Sequence, residues 1–292
     1  MANTFTRLYG TGQFGLSFEL FPPKTPASQE ELFSHLGELM RFEPDFVTCT
    51  YGAGGSTRDK TLEIVEQVAR QFGCPVASHL TCVGSTVDEL RGYLTEARRR
   101  GVRNIVALRG DPPQGQTTFT PVAGGLSYAN ELVELIRREF ADFGVAVAGY
   151  PEVHREAPNA DADLANLARK VSAGADVVVT QLFYENRDFF EFRERYRAAG
   201  IKAPLVPGIL PITSLAQIRR ITSLCGARLP ATLVAGLESC QDDAQRQFEV
   251  GVEFAIRQVR ELLEEGVPGL HFYVLNKSPA TCRVLQATGR PR

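Results

Sequence analysis

The chain of 292 residues lacks several features that would place it in a broad class. No apolar run reaches the roughly 18 to 20 residues that a membrane-spanning helix needs. The start, MANTFTRLYG, has neither the basic residues nor the apolar stretch of a signal peptide, so we expect a cytoplasmic protein. The formal net charge of −2 argues against a general nucleic-acid binder, because such proteins carry a basic stripe.

Sequence patterns for metal binding and for disulfide bonds are also absent. None of the six cysteines forms a CxxC pair, and such thiols stay reduced in a cytoplasm, so we interpret them as buried small hydrophobic side chains. The four histidines, at positions 35, 79, 154 and 271, lack a spacing such as HxxxH, and no metal site is predicted. Any one of these histidines, taken alone, is more often structural than functional.

Eight short apolar runs alternate with amphipathic stretches along the chain. Strands that are apolar along nearly their whole length are buried on both faces, which is typical of a parallel sheet. Eight such runs separated by helices predict an α/β fold, a single (β/α)8 barrel (TIM barrel) over about residues 15–290 of one domain, 1–292. A doubly wound open sheet is the alternative, although no GxGxxG motif follows any of the runs. The predicted strands are 16–21, 45–50, 75–81, 104–110, 145–150, 176–183, 204–209 and 269–275.

The helices predicted between the strands have recognisable ends. Ser28 precedes QEELF and is interpreted as a helix start, and Thr86 with Glu89 has the spacing of a capping box. Glycines follow four of the helical stretches, as is typical of a helix end: Gly73, Gly101, Gly174 and Gly200. The predicted helices are 28–40, 57–72, 86–100, 127–140, 161–173, 186–199, 213–225 and 242–265, with a further helical segment near 230–241.

Two carboxylates are predicted to lie at the carboxyl ends of strands, where function collects in such barrels. Glu19 lies within an apolar strand, where burial would raise its pKa and suit it to donate a proton. An ion pair with a neighbouring Arg or Lys is the alternative for Glu19. Asp111, in LRGDPP, is a candidate for the same site or a turn former before Pro112.

Other strand ends offer polar groups for an anionic or heterocyclic ligand. The glycine-rich turn at 50–58 can hold an anion on its backbone N–H groups, or is simply a flexible loop. Asp163 and Lys170 have near-helical spacing and belong either to a solvated helix face or, with His154 just upstream, to a phosphate site. Gln181 ends a strand with an amide that suits an amide-bearing heterocycle.

Taken together, in this order and spacing, these segments resemble methylenetetrahydrofolate reductase over about residues 15–290. The resemblance is to the short bacterial form, which consists of the catalytic domain. The segments that carry it are SFELFPPK (17–24), VTCTYGAGGSTRD (47–59), SHLTC (78–82), VALRGDPP (106–113), YPEVHREA (150–157), DLANLARK (163–170), TQLFY (180–184), PGILPIT (207–213) and LHFYVLNKS (270–278).

The resemblance implies a flavoprotein that holds FAD without a covalent bond at the strand ends. It implies an oxidoreductase of one-carbon metabolism and methionine biosynthesis that reduces 5,10-methylenetetrahydrofolate to 5-methyltetrahydrofolate with NADH or NADPH. The nicotinamide and the folate would use the same flavin face in turn, which gives ping-pong kinetics. The partners implied are these small molecules and other copies of the chain, without nucleic acid or membrane.

The resemblance also implies a role for individual residues. Glu19 matches the general acid that protonates the departing folate nitrogen, and Asp111 matches an anion that favours the cationic iminium beside the flavin. Gln181 would orient the pterin by hydrogen bonds, and His154, Arg169 and Lys170 would bind the pyrophosphate. Positions that match FAD contacts are Thr50, His79, Arg109, Gly110, Asp111, Tyr128, Ala129, Tyr150, His154, Asp163, Asn166, Arg169 and Lys170.

Two expected substrate contacts depart from the family pattern. Lys277 stands where relatives carry Arg, so it keeps a positive charge for the glutamate tail of the folate but loses the bidentate fork. Leu215 stands where a relative has a Phe that stacks on folate, and it offers apolar contact without a π face.

Three other functions remain as alternatives. A flavin-independent reductase would pass hydride directly from the nicotinamide to the folate, but such relatives should lose the FAD-contacting set that this chain keeps. A different FAD barrel enzyme, such as a proline dehydrogenase, does not explain Glu19 in SFELFPPK. A non-enzymatic folate- or flavin-binding protein would not need an intact proton donor.

Overall fold

The computed structural model describes residues 4–51, 58–112, 115 and 118–289. Its eight strands pair in parallel and in chain order, and the last strand closes on the first. The predicted (β/α)8 barrel is therefore confirmed, and the open-sheet alternative is wrong. The strands are β1 (Gly15–Leu20), β2 (Phe46–Cys49), β3 (Val76–Thr81), β4 (Asn104–Leu108), β5 (Gly144–Gly149), β6 (Val177–Leu182), β7 (Leu205–Ile209) and β8 (Gly269–Tyr273).

Helices connect consecutive strands around the barrel. The eight predicted helices are present, and the further segment near 230–241 is α9. The sequence pattern did not predict α1 and α11, which stand before the first strand and after the last. The helices are α1 (Thr4–Gly10), α2 (Pro26–Met40), α3 (Arg58–Phe72), α4 (Val87–Arg99), α5 (Ala129–Glu139), α6 (Ala160–Ser172), α7 (Asn186–Ala198), α8 (Leu215–Cys225), α9 (Ala231–Glu238), α10 (Ala244–Glu264) and α11 (Pro279–Thr288).

The helix ends follow the capping rules, with one correction. Thr25, and not Ser28, caps α2, because the Thr25 hydroxyl accepts the Ser28 N–H while the Ser28 hydroxyl accepts the Thr25 N–H. The Thr86–Glu89 capping box is confirmed by a 2.8 Å bond from the Thr86 N–H to the Glu89 carboxylate. The four glycines predicted at helix ends all have positive φ, between +65° and +118°: Gly73, Gly101, Gly174 and Gly200.

The first helix closes the amino-terminal end of the barrel. Phe5, Leu8 and Tyr9 of α1 are buried against inward-facing strand residues, among them Phe46 and Val206. The Phe5 and Phe46 rings meet edge to face, with their centroids 5.0 Å apart. Because this cluster fills the lower part of the barrel, α1 forms a floor beneath the interior.

The largest apolar cluster lies between the strands and the surrounding helices. It includes three buried cysteines, Cys49, Cys74 and Cys82, as expected for small hydrophobic side chains, while the other three cysteines are half-buried. In the part of the chain that the structure describes, no helix is both long and apolar enough to cross a membrane.

Candidate active site

A cavity of about 1380 Å³ opens at the carboxyl ends of the strands and reaches down into the barrel. A second cavity of about 830 Å³ is lined by residues of α2 and α3 and shares Phe21 and Thr50 with the first. Most of the predicted site residues line the larger cavity: Glu19, Thr50, His79, Arg109, Gly110, Asp111, Tyr128, Ala129, Tyr150, His154, Asp163, Asn166, Arg169, Lys170 and Gln181.

Glu19 lies on the inner wall of the cavity, near the end of β1, with about 10% of its side chain exposed. Its Oε2 atom lies 3.2 Å from His79 Nε2 and 3.5 Å from His271 Nε2. The Nδ1 atom of His271 forms a 2.8 Å hydrogen bond with Ser17 Oγ, on the same face of β1 as Glu19. The partners of this carboxylate are therefore two imidazoles, and not the Arg or Lys of the alternative interpretation.

The predicted rise in the pKa of Glu19 is wrong. Burial does raise it, but the adjacent imidazoles of His79 and His271 outweigh burial and lower the pKa of Glu19 from 4.5 to about 2. In the free protein this side chain is an ionised carboxylate. A proton that leaves from this position must therefore first reach the carboxylate.

Asp111 lies at the exposed rim of the cavity, after β4. The neighbouring Arg109 donates two hydrogen bonds, of 2.6 and 2.7 Å, to the carboxylate of Glu156, and its guanidinium lies 5.0 Å from the centroid of the Phe119 ring. Gly110, between the two, has a φ of +90°, which favours glycine. The β4–α5 turn thus presents a solvated carboxylate beside an arginine that is already paired.

Lys170 extends from α6 into the cavity wall. Its Nζ atom donates a 2.5 Å hydrogen bond to the Ala148 carbonyl and lies 5.8 Å from the centroid of the Tyr150 ring. Burial lowers the pKa of Lys170 from 10.5 to about 8, against a smaller opposing effect of Asp163. A buried ammonium in a cavity wall is a favourable place for an anionic group.

The loop between β5 and α6 is held in place by its own polar contacts. The backbone N–H of His154 donates to Asp163 Oδ2 at 3.0 Å, and the His154 ring meets Tyr150 edge to face at 4.6 Å. The Glu156 N–H donates to His154 Nδ1, so the neutral imidazole carries its proton on Nε2. Burial lowers the pKa of His154, which favours that neutral form.

The four polar residues of α6 line the cavity, and two of them, Asn166 and Arg169, are also exposed to solvent. Asp163 is buried, and Asn166 Oδ1 accepts a 2.7 Å hydrogen bond from Arg169 Nη1. With Lys170 they occupy one side of the cavity, next to the β5–α6 loop. This side carries the positive charge expected of a phosphate site.

The inner wall offers hydrogen-bonding groups to a flat polar ligand. Gln181 Oε1 accepts from the N–H of Leu182 at 2.9 Å, which fixes the orientation of its amide. Tyr273 donates to the Thr180 carbonyl at 2.7 Å and meets the His271 ring edge to face. Thr48 Oγ1 is buried and has no hydrogen-bond partner among the described residues, so a ligand edge at this wall would satisfy it.

Leu215 and Lys277 do not line the larger cavity among the residues that the structure describes. Leu215 is buried in the apolar cluster beneath α8, and its N–H donates to Gln247 Oε1. Lys277 is exposed, and its ammonium is paired with Glu31 of α2. Their expected contacts with substrate therefore remain predictions, and Lys277 would have to exchange one carboxylate for another.

Several residues of the cavity were not assigned a site role from the sequence. His271 and Tyr273 alternate with apolar residues along β8, and this period of two was the available signal that they share a face. Glu156 and Phe119, which hold Arg109, come from loops and gave no periodic signal.

The glycine-rich turn at 52–57 and the side chain of Arg58 lie outside the described residues. Just before them, the Tyr51 hydroxyl accepts the Thr81 N–H at 2.7 Å, which ties the end of β2 to the end of β3. Thr50 and Tyr51 both line the cavity.

Comparison with known proteins gives a consistent result. The family model of methylenetetrahydrofolate reductase matches residues 4–289. The chain is 39% identical over 278 residues to 5,10-methylenetetrahydrofolate reductase of Escherichia coli (strain K12), covering 95% of this chain and 92% of that one. It is 40% identical over 288 residues to methylenetetrahydrofolate reductase (NADH) 1 of Arabidopsis thaliana, covering 95% of this chain and 49% of the relative. The chain thus spans about half the length of the plant relatives that it matches.

A solved structure shares the fold. It is an uncharacterized protein from Clostridium thermocellum that binds two copies of 5-methyl-5,6,7,8-tetrahydrofolic acid. The TM-score is 0.65 at 17% sequence identity, with 97% of this chain and 98% of that chain covered.

Proposed function

Because the chain belongs to the methylenetetrahydrofolate reductase family, we propose that it reduces 5,10-methylenetetrahydrofolate to 5-methyltetrahydrofolate, with FAD as the bound cofactor and NADH as the electron donor. The observation that carries the proposal is the buried Glu19 carboxylate with its two imidazoles, at the inner wall of a cavity that also holds Asp111 and Gln181. The plant relatives named for NADH favour that donor over NADPH.

The size of the cavity supports the proposal of FAD together with a second ligand. Its volume of about 1380 Å³ exceeds the roughly 300 to 1,000 Å³ that holds one drug-sized ligand. The buried ammonium of Lys170 suits the pyrophosphate, and the unpartnered Thr48 hydroxyl suits the polar edge of a flat ring. When bound, FAD would supply a two-electron carrier between the nicotinamide and the folate, and we propose that the two reactants use it in turn, in a ping-pong sequence.

Residues around the β5–α6 side of the cavity would hold the cofactor. His154, Arg169 and Lys170 would bind its phosphates, and Asp163 its ribose hydroxyls through the carboxylate oxygen that does not accept from His154. Arg109 would have to share its guanidinium with Glu156. The other proposed contacts are Thr50, His79, Gly110, Asp111, Tyr128, Ala129, Tyr150 and Asn166.

Glu19 is the proposed proton donor. The reduced carbon is bridged between two folate nitrogens, so one C–N bond must break and the departing nitrogen must gain a proton. Glu19 shares its Oε2 atom with His79 and His271, and the three side chains form a buried unit that can hold this proton and deliver it from the carboxyl. Overall, one hydride from NADH and one proton convert the methylene bridge into a methyl group.

Asp111 and Gln181 would act on the same substrate without exchanging a proton. A carboxylate at the rim, beside the bound ring systems, favours the cationic iminium that ring opening generates. The Gln181 amide, oriented by the Leu182 N–H, would position the pterin by hydrogen bonds. We propose that these groups, with Glu19, act within a single catalytic domain.

Anaerobic assay of the purified protein tests the proposal. We expect visible flavin absorbance, bleaching of that absorbance by NADH, and its return with formation of 5-methyltetrahydrofolate when 5,10-methylenetetrahydrofolate is added. A colourless protein that gains no activity from FAD but still forms the product would favour the flavin-independent reductase. No product under any of these conditions would refute the proposed function.

A further inference from the structure

The loop after β8 carries two consecutive residues with left-handed backbone. Leu275 has a φ of 48° and Asn276 a φ of 59°. Asn adopts this conformation readily, but a bulky side chain such as Leu does so rarely and at an energetic cost. A strained pair of residues persists only where neighbouring contacts stabilise it.

The side chain of Asn276 supplies such contacts. Its Oδ1 atom accepts the Phe21 N–H at 2.8 Å, and its Nδ2 atom donates to the Phe21 carbonyl at 2.8 Å. The regular pairing of β1 with β8 ends at Glu19 and Tyr273. The Asn276 amide therefore engages both backbone groups of Phe21, as a strand partner would, beyond the point where the ladder stops.

Phe21 is the residue that this contact holds in place. It lies two positions after Glu19, separates the two cavities as a lining residue of both, and is 37% exposed. Leu275, on the strained loop, lines the larger cavity. Both side chains line the larger cavity, which also holds Glu19, and a pair of hydrogen bonds joins the loops that carry them.

We propose that Asn276 is a positioning residue, which fixes Phe21 and Leu275 as an apolar wall for the flat ring of the incoming folate. The proposal rests on the proposed function, since it names folate as the ligand of this wall. Asn276 itself is not among the described residues that line the larger cavity, so it would govern the binding of the substrate and not the chemical step.

The test uses two variants of the full chain. Asn276→Gly keeps the positive φ but removes both hydrogen bonds, and Asn276→Asp keeps one acceptor but sets a carboxylate against the Phe21 carbonyl. In both we expect the KM for 5,10-methylenetetrahydrofolate to rise about tenfold, or about 1.4 kcal/mol, with kcat within about twofold of wild type. The Kd of 5-methyltetrahydrofolate, measured by calorimetry, should rise equally, and the rate of flavin reduction by NADH should not change.

Asn159→Asp is the matched control, because it adds the same charge at the N-cap of α6, where Asp also caps well. It should leave the KM at the wild-type value. Wild-type KM and Kd in both Asn276 variants would overturn the inference, as would a fall in kcat alone, which indicates a merely structural role. A wild-type protein that neither binds nor reduces folate would instead remove the proposed function, and the inference with it.

Discussion

Replacing Glu19 by Gln tests the chemistry of the site most directly. The amide has nearly the same shape as the carboxyl group but neither ionises nor donates a proton of comparable acidity. General acid catalysis contributes about 10²- to 10⁴-fold to a rate, so we expect Glu19→Gln to lower kcat for folate reduction by at least about 100-fold. The rate at which NADH bleaches the flavin should stay near the wild-type value, since that half-reaction needs no proton from Glu19.

The same variant has a second, thermodynamic signature. Because the pKa of Glu19 is lowered to about 2 in the folded protein, its charged form stabilises the fold at pH values above the unfolded pKa of 4.5. This contribution is lost as the pH falls from 4.5 towards 2. The difference in unfolding free energy between wild type and Glu19→Gln should therefore change as the pH falls below about 5.5, by up to about 3 kcal/mol at about 1.4 kcal/mol per pKa unit.

Stopped-flow spectroscopy of each half-reaction and urea unfolding at several pH values provide the measurements. Glu38→Gln is the control, because it makes the same substitution on the exposed surface of α2, where Glu38 pairs with Arg41. A Glu19→Gln protein that keeps more than about a tenth of the wild-type kcat would refute the assignment of the acid. A stability difference that is flat from pH 6 to pH 3 would refute the lowered pKa.

Three further predictions follow from particular contacts. Lys170→Met should weaken FAD binding about tenfold or more at pH 7. The Kd of the wild type for FAD should rise as the pH passes about 8, because the free ammonium loses its proton there, whereas the Kd of the variant should not. Equal pH profiles of the two proteins in a fluorescence titration would contradict this. Glu31→Gln removes the ion-pair partner of Lys277 and should lower the KM for a polyglutamylated folate about twofold at low salt. Lys277→Met should raise the same KM. A KM that responds to neither substitution would show that Lys277 does not contact the substrate. Tyr9→Phe removes a buried hydroxyl without a partner among the described residues, so its Tm should be unchanged or about 2 °C higher, and a clear fall in calorimetry would indicate an undetected partner.

The fold was predictable because the sequence repeats one simple pattern. Strands buried on both faces are apolar along their length, and each strand but the last is followed by a predicted amphipathic helix, so eight strands could be counted. The helices that were missed differ from this pattern. α1 is only seven residues long, and α11 follows a loop whose residues have positive φ, which the sequence does not signal.

The positions of the site residues were more predictable than their electrostatics. Strand ends converge in any such barrel, so Glu19, Asp111 and Gln181 were expected to line one cavity. The pKa of Glu19 depends instead on His79 and His271, which come from two other strands, and a side chain's neighbours across a barrel are set by register. The surroundings of Leu215 and Lys277 could not be predicted from the sequence for the same reason. Leu215 packs in the apolar cluster of α8, and Lys277 pairs with Glu31 of α2.

The first helix, α1, closes the amino-terminal end of the barrel, and the larger cavity opens at the carboxyl ends of the strands. A reactant that enters at the carboxyl ends of the strands must therefore leave by the same end. If the nicotinamide and the folate both bind on the same flavin face, they cannot bind at the same time. The oxidised dinucleotide must then dissociate before the folate can bind. The alternation of the two half-reactions would then follow from the order of binding and release. That order would depend on α1, which closes the other end of the barrel and lies away from both reactants.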